Sequence, residues 1–534
     1  MGSTIEVLIA LLAVISVVSV IARRLRVPPA ILLVITGVVL ALIPGLPIVK
    51  LDPEFVLLFV LPPIIYNSAV AMSWQEFRFN LRPISMLAIG CVFFTAITTA
   101  AVSHWLLGLS WPIGFVLGAI VSPPDAVAPL SIARRLQLPR RFLAILEGEG
   151  LVNDASALIL YRFAITAVSL GVFSMSHAIG TFAAIVGGEI LWGIGVGWAV
   201  LRLRRWVKDP RIEIMLSILT PFLAYFPPEQ MGGSGVLATV TTGLYISWNG
   251  LRLISAATRL QGIFFWGFLM YLTEAFVFLL TGLQARALVG GIHGSSISQL
   301  AVPALIVCAV VIVARFIWMF PATYLPRLLI PSVARADPSP PWQWPVALAF
   351  TGVRGIVSLA AALAIPLTTA SGEAFPDRDR ILFLTFSVIL VTLVGQGLLL
   401  PAVMRALGFA HAGRRERKTE RIAEFDARRQ SIEAASHYLD ELATERRLPE
   451  SLVRPLKAHL RDRLKVVELF ENEDADAKKT SALDDEVQFL LLARERDKIN
   501  DLYRAGKLKD DPRRRIEREL DLRDAQLTNL RAEE

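Results

Sequence analysis

Cysteine and charged residues are scarce in this sequence of 534 residues. The two cysteines, Cys91 and Cys308, both lie in apolar runs, so the sequence predicts neither a disulfide framework nor a cysteine-based metal site. Charged residues make up 19% of the chain, whereas soluble globular proteins carry about 25%. No Walker A, HExxH, CxxC or GxGxxG motif occurs, so nucleotide-driven and zinc-hydrolase chemistry have no support, and we expect no cofactor.

Long apolar runs are abundant, and they are confined to residues 1–410. Hydrophobic residues form 54% of the chain, yet residues 411–534 hold 28 of its 54 Lys and Arg and 29 of its 46 Asp and Glu. The sequence therefore predicts an all-α polytopic membrane domain at 1–410 and a helical cytoplasmic domain at 411–534. Basic cytoplasmic loops explain the net charge of +8, so no nucleic-acid partner is expected.

Thirteen segments are long and apolar enough to cross a bilayer, which takes roughly 20 residues of helix. With the N-terminus outside, the predicted cytoplasmic loops contain 19 Lys and Arg, including Lys208 and Arg252. The opposite loops contain 4, including Lys50. This asymmetry follows the positive-inside rule and places the C-terminal tail in the cytoplasm. The predicted spans are 5–22, 28–43, 53–71, 83–107, 112–133, 140–168, 178–201, 210–226, 232–248, 262–283, 298–322, 345–366 and 381–407.

Three carboxylates fall within eight residues of the predicted span 140–168: Glu147, Glu149 and Asp154. An ionisable side chain inside the bilayer is costly and usually marks a functional site. Glu149 and Asn153 are four residues apart and share one helix face. Glu147 and Asp154 are seven apart and share another. The alternative is a surface helix, or one wrongly assigned to the membrane.

The predicted span 112–133 is interrupted by the sequence Ser122, Pro123, Pro124 and Asp125. Proline lacks a backbone donor and clashes with the preceding turn, so the prolines break the helix. Free carbonyl groups beside a carboxylate make a site for a small hard cation. The alternative, compatible with the first, is a simple kink in which Asp125 caps the broken half.

The predicted span 345–366 contains a second interruption, at Gly352, Arg354 and Gly355. Glycine permits unwinding, and a buried arginine keeps its proton and so needs a carboxylate. The interrupted spans are the fifth and the twelfth, and their odd offset makes them run in opposite directions. This is the pattern of an inverted-repeat transporter with two crossed discontinuous helices.

These segments resemble the monovalent cation–proton antiporter family, which includes the animal sodium/proton exchangers and their bacterial relatives. The resemblance rests on the motifs Glu149–Asp154, Ser122–Ala126, Gly352–Gly355 and Leu61–Ile65, and it covers residues 5–407. Each motif alone is weak, but together they are highly specific.

The resemblance implies roles for five residues. Asp154 would bind the cation or the proton, Asn153 would help to order the site, and Asp125 would lie where the unwound helices cross. Glu149 would pair with Arg354 and hold the core together.

Two positions depart from the family pattern. Asn67 stands where relatives usually carry an acidic residue, and Gly150 lacks the hydroxyl group that many relatives have. We regard Asn67, Glu147 and Glu274 as secondary candidates for the site. Glu274 and Arg315 lie inside predicted spans and are expected to be structural partners, interface groups or direct participants in transport.

The sequence thus predicts a secondary antiporter, not an enzyme, that exchanges Na⁺, K⁺ or both for H⁺ by alternating access. Burial favours the protonated form of a carboxyl group and a bound cation favours the ionised form, so the two ions compete. With Asn153 beside Asp154, and with Glu149 held ionised by Arg354, we expect electroneutral exchange. We also expect a homodimer in the cell membrane, taken as a bacterial inner membrane, with roles in pH and sodium homeostasis.

Two alternatives remain open. An ion-coupled solute symporter or a cation channel could have the same architecture. An intramembrane aspartyl protease would need Asp125 and Asp154 to activate one water molecule, and neither aspartate lies in the Gly-x-Gly-Asp setting of such enzymes.

Overall fold

A computed structural model of the chain describes residues 2–44, 51–170, 175–207, 209–250, 253–290, 297–370, 372–471, 475–505 and 507–532. Lys50, Lys208 and Arg252, which entered the count of loop cations, lie outside these residues. The chain forms two compact units, Met1–Arg414 and Arg415–Glu534. The division into a membrane domain and a cytoplasmic domain at residue 410 stays a prediction.

The first unit is helical, and a helix occupies each of the thirteen predicted spans. The helices are α1 (Gly2–Leu25), α2 (Pro29–Ala41), α3 (Phe55–Ala71), α4 (Leu81–Leu107), α5 (Trp111–Val121), α6 (Val127–Arg135), α7 (Arg140–Leu170), α8 (Met175–Arg204), α9 (Pro210–Gln230), α10 (Val236–Asn249), α11 (Ala256–Leu283), α12 (Ile297–Leu329), α13 (Gln343–Phe350), α14 (Ile356–Leu363) and α15 (Arg378–Ala406). Shorter helices span Trp74–Phe79, Ala285–Gly290 and Pro331–Ala336.

Within the described residues, seven helices are long and apolar enough to cross a membrane: α1, α4, α7, α8, α11, α12 and α15. Large apolar side chains on several of them point outward, among them Leu191, Phe264 and Leu305, which are 73%, 78% and 66% exposed. Such a surface suits contact with lipid rather than with water. The number of thirteen crossings, the inverted repeats and the dimer stay predictions.

Two of the predicted spans are divided, as the sequence indicated. Helix α5 ends at Val121 and α6 begins at Val127, whereas α13 ends at Phe350 and α14 begins at Ile356. Pro123 and Pro124 stop α5, because a proline at either position removes a helical donor and crowds the turn before it. Both divided spans therefore expose backbone groups at mid-helix.

Helix α5 lies unusually close to α4. A Cβ atom added at Gly114 would lie 2.9 Å from the carbonyl oxygen of Ala100, and one at Gly118 would lie 2.5 Å from that of Ala96. Only a residue without a side chain permits this backbone approach. The contact fixes the end of α5, and with it the first break.

The remaining helices are α16 (Phe409–Glu445), α17 (Glu450–Glu471), α18 (Ala475–Arg504) and α19 (Asp510–Ala532). Apolar residues recur at helical spacing in 456–470 and 487–502, which predicts two helices, and these segments lie inside α17 and α18. Asp510, Asp511 and Pro512 predict a break, and α19 begins there. Within the second unit, Arg496 of α18 donates hydrogen bonds to Asp521 and Asp524 of α19, at 2.8 and 3.2 Å.

Candidate cation and proton site

The two divided spans meet at their breaks. The backbone N–H of Asp125 donates a hydrogen bond to the carbonyl oxygen of Val353 over 2.6 Å. Gly355 lies so close to Asp125 that a Cβ atom there would collide with the carboxylate. Asp125 therefore lies where the two divided spans approach each other, and this approach depends on the absence of a side chain at Gly355.

The two oxygen atoms of Asp125 have different surroundings. Oδ1 accepts a hydrogen bond from the N–H of Val127 over 3.0 Å, so Asp125 also caps the first turn of α6. Oδ2 is buried and has no hydrogen-bond partner in the described part of the chain. The capping alternative and the ion-site alternative thus coexist in one side chain.

Arg354 binds the carbonyl groups at the C-terminal end of α5. Its Nε donates to the carbonyl oxygen of Val121 over 2.9 Å, its Nη2 donates to that of Ser122 over 3.4 Å, and its Nη1 donates to that of Gly352. The last carbonyl groups of a helix lack helical partners and carry partial negative charge, which a buried guanidinium stabilises. Thr392 lies in a π-helical turn of α15, and its Oγ1 accepts a hydrogen bond from the backbone N–H of Arg354 over 3.0 Å. This bond helps to hold Arg354 against the end of α5.

The predicted ion pair between Glu149 and Arg354 is wrong. Glu149 is bound by Arg315 of α12 through two hydrogen bonds of 2.5 and 2.8 Å, and 1% of each side chain is exposed. Arg315 also donates to the carbonyl oxygen of Leu348, near the end of α13, over 3.1 Å. The carbonyl groups of α5 satisfy Arg354 instead, so it needs no carboxylate contact.

Asn153 connects α7 to the first break. Its Nδ2 donates to the carbonyl oxygen of Pro124 over 2.6 Å, which satisfies one of the groups freed by the prolines. A Cβ atom at Gly150 would lie 2.5 Å from that of Ala126, so a larger residue would have to displace the break. Both contacts explain how α7 holds the unwound segment in place.

A cavity of about 260 Å³, which we call the ion cavity, is lined by four of the predicted carboxylates, Asp125, Glu147, Asp154 and Glu274, but not by Glu149. Asp154 is half-buried and makes no hydrogen bond or ion pair with the described residues. Glu147 lies on the same face, as predicted, and Arg134 binds it at 2.7 Å. The lining also includes Asn67, Ser68, Pro123, Pro124, Asp125, Ser131, Glu274, Gly355 and Ser358.

The ion cavity extends from the breaks towards the last turn of α6. Arg134 lies there, is 59% exposed, and is one of the cations that the sequence assigns to a cytoplasmic loop. Near the opposite end of α7, Arg162 forms an ion pair with Glu229 of α9. This second pair was not among the predicted site residues, although the charge of Arg162 inside the predicted span 140–168 was an available signal.

Glu189 of α8 is a further buried carboxylate that the sequence analysis missed. It is 3% exposed and accepts hydrogen bonds from the N–H groups of Ser234 and Leu237 at 2.6 and 3.0 Å. These donors lie at the start of α10, so Glu189 acts as a helix cap supplied by another helix.

The ion cavity is lined by carboxylate and hydroxyl oxygen atoms, the kind of ligand that hard cations prefer. No group of three or more His, Cys, Asp or Glu residues forms a metal cluster within the described ranges. Several oxygen atoms that face this cavity have no hydrogen-bond partner among the described residues: Asp125 Oδ2, Ser358 Oγ and the carboxylates of Asp154 and Glu274. A hard monovalent cation or a proton could neutralise these carboxylates.

Known proteins resemble this chain over most of its length. A family model described as "Sodium/hydrogen exchanger, transmembrane" matches residues 7–406. An uncharacterized Na⁺/H⁺ exchanger of Mycobacterium tuberculosis is 35% identical over 531 residues, which cover 98% of this chain and 96% of that protein. A sodium, potassium, lithium and rubidium/H⁺ antiporter of Bacillus pumilus is 32% identical over 376 residues, 68% of this chain and 56% of that protein.

A solved structure shares the fold. The sodium proton antiporter MjNhaP1 from Methanocaldococcus jannaschii, at pH 8, superposes with a TM-score of 0.61. The match covers 77% of this chain and 99% of that one at 19% sequence identity. These relatives are all named as transporters.

Proposed function

The chain belongs to the sodium/hydrogen exchanger family, and on that premise we propose that it is a secondary antiporter that exchanges Na⁺, K⁺ or both for H⁺. The observation that carries the proposal is the joint exposure of Asp125 and Asp154 to the ion cavity at the crossing of two broken helices. The Bacillus pumilus antiporter is named for four alkali cations, which supports a broad choice of cation here.

Exchange follows from competition for one carboxylate. Asp154 is half-buried without a protein partner, so either a proton or a cation must compensate its charge. Burial favours the protonated form, and an arriving cation favours the ionised form. Each ion therefore displaces the other. Asp125 Oδ2 and nearby backbone carbonyl groups supply further oxygen ligands of the kind that hard cations prefer.

Fixed charges and hydrogen bonds around the site hold the aspartates in place. Arg315 compensates the charge of Glu149, which does not line the ion cavity. Arg354 holds the end of α5, and Asn153 holds the carbonyl group of Pro124. These four residues thus position the break and its ligands without carrying the transported proton.

Alternating access would expose the same carboxylates to each side in turn. The ion cavity reaches Arg134 at one end of the helices, and the Arg162–Glu229 pair joins α7 to α9 near the other end. This supports an inward-open conformation with an outer contact that must break during transport. Movement of the broken helices against a static homodimer scaffold would open that side.

The proposal places the protein in the cell membrane with its N-terminus outside and residues 411–534 in the cytoplasm. The distribution of Lys and Arg along the loops supports this orientation. In this location the exchanger would contribute to sodium and pH homeostasis.

Purified chain in proteoliposomes tests the proposal. Adding Na⁺, K⁺, Li⁺ or Rb⁺ outside acid-loaded vesicles should raise the internal pH, whereas choline should not. Asp154→Asn and Asp125→Asn should each lose more than 90% of the response and remain folded. Asp379→Asn, which removes an exposed carboxylate, is the matched control. Exchange by Asp154→Asn above half of the wild-type rate would refute the assignment, and cation flux without proton movement would favour a channel.

A further inference from the structure

Three arginines converge on one carboxylate at the start of α4 and α7 and the end of α12. Arg141 binds both oxygen atoms of Asp337 at 2.9 and 2.8 Å, and Arg327 binds Oδ2 at 2.7 Å. Arg82 also binds Oδ2. One carboxylate compensates one of these three cations, so the cluster keeps a formal excess of two positive charges.

The positive cluster forms one wall of a cavity of about 250 Å³, which we call the arginine cavity. Its other walls are mostly apolar. They come from α4, α7, α12 and α13 and include Met86, Leu87, Ile145, Met319, Trp344 and Leu348. It shares no lining residue with the ion cavity. A cavity with one positively charged wall and otherwise apolar walls suits an occupant that is anionic at one end and apolar at the other.

The surroundings of the arginine cavity suit a membrane interface. Phe79, Leu328 and Trp342 are 68%, 80% and 58% exposed beside the arginine-bearing segments. Exposed tryptophan next to exposed aliphatic residues is typical of the boundary between acyl chains and headgroups. The predicted topology assigns Arg82, Arg141 and Arg327 to cytoplasmic loops, where the adjoining leaflet carries anionic lipid.

Arg82 has donors available for a ligand. Among the described residues its guanidinium donates a hydrogen bond only to Asp337, through Nη2, and 26% of the side chain is exposed. Arginine has five N–H donors in a fork that matches a phosphate group. A purely structural network around Asp337 would use those donors internally.

We propose that the arginine cavity binds one anionic phospholipid, with the phosphate group against Arg82, Arg141 and Arg327 and an acyl chain against the apolar walls. Basic pockets between transmembrane helices on the cytoplasmic side recognise lipid headgroups in this way. The occupied cavity would tie the start of α4 and α7 to α12 and α13. A free inorganic phosphate could satisfy the arginines but not the apolar walls.

The test uses the full chain in detergent with two lipids that have the same acyl chains, palmitoyl-oleoyl phosphatidylglycerol and phosphatidylcholine. A ligand that binds only the folded state raises the melting temperature. Phosphatidylglycerol should raise it and should remain bound in native mass spectrometry. Arg82→Gln should weaken apparent phosphatidylglycerol affinity about five-fold, since one cation near an anionic surface contributes about 1 kcal/mol. Arg78→Gln is the matched control: Arg78 is exposed and lies outside the arginine cavity.

A second variant separates lipid from free phosphate. Ala322 lines the arginine cavity, and Ala322→Trp would fill it without changing a charge. Adding phosphatidylglycerol should no longer raise the melting temperature of this variant. The quantity compared is the shift in melting temperature on adding lipid, because the substitution also changes the absolute melting temperature. Equal responses to the two lipids, equal effects of Arg82→Gln and Arg78→Gln, or a full response to millimolar sodium phosphate alone would each overturn the proposal.

Discussion

Glu149 of α7 and Arg315 of α12 join their side chains through two hydrogen bonds of 2.5 and 2.8 Å, deep inside the first unit. The pair links the helix that carries Asp154 to the helix that packs against the second break. It also leaves Arg354 free to bind the carbonyl groups at the end of α5. The core therefore contains two buried arginines with different partners: a carboxylate for Arg315 and backbone carbonyl groups for Arg354.

We expect loss of one partner of this pair to be strongly destabilising. Arg315→Met should cost about 3–5 kcal/mol, because it leaves the carboxylate of Glu149 buried and uncompensated. The double variant Glu149→Gln/Arg315→Met should recover part of that loss. Melting in detergent measures both. Arg134→Gln, in a pair whose arginine is 59% exposed, should cost at most about 1 kcal/mol. If Arg315→Met melts like Arg134→Gln, the buried pair has no structural role.

Gly355 should be sensitive to the smallest possible side chain. In Gly355→Ala the new Cβ atom would meet the Asp125 carboxylate, so the helix crossing or the aspartate must shift. Overpacking of this kind costs about 1–3 kcal/mol, and exchange should fall at least ten-fold because Asp125 is displaced. Gly395→Ala is the control, since nothing lies within 4 Å of its added Cβ atom. Wild-type exchange by Gly355→Ala would show that the close contact is unimportant for transport.

Exchange is expected to be electroneutral, with one proton moved per monovalent cation. Glu149 is paired with Arg315 and does not line the ion cavity, and Asn153 and Asn67 carry no titrating group, so we expect Asp154 to be the main proton carrier. Asp125 is the residue that could add a second proton. Proteoliposomes clamped with valinomycin and potassium, with Na⁺ as substrate, provide the measurement. A rate that changes several-fold with imposed voltage would instead indicate more than one proton per cation, carried by Asp125.

Asp337 should stabilise the protein at neutral pH but not in acid. Burial alone would raise the pKa of Asp337, but the hydrogen bonds from Arg141 and the charges of Arg141, Arg327 and Arg82 hold this pKa below its usual 3.8. Since the pKa is lower in the folded state, the stabilisation is complete above about pH 5 and is lost as the pH falls through the folded-state pKa.

The variant Asp337→Asn tests that linkage. It should lower the free energy of unfolding by about 1 kcal/mol at pH 7, a small value because two of the three arginines, Arg82 and Arg141, are partly exposed. The difference from wild type should stay constant from pH 5 to pH 8 and shrink below pH 4. A difference that instead grows as the pH falls would contradict the sign of the pKa shift.

Local sequence rules were sufficient to predict the helices and their breaks. Apolar runs of sufficient length predicted helices at all thirteen spans, and Pro123 and Pro124 predicted the break in the fifth. Helical spacing grouped Glu147 with Asp154 on one face, and both residues line the ion cavity. These predictions succeed because helix periodicity and proline geometry depend only on neighbours along the chain.

The partners of the buried charges were decided by the tertiary structure. The sequence shows three mid-span groups, Glu149, Arg315 and Arg354, but their charges alone allow either arginine to pair with the glutamate. The choice depends on where α12 packs and on which carbonyl groups the break in α5 leaves open. The same holds for Asp337 and the arginines gathered around it from distant segments. Spacing along a helix determines which face a residue occupies, but only the packing of one helix on another determines what that face meets.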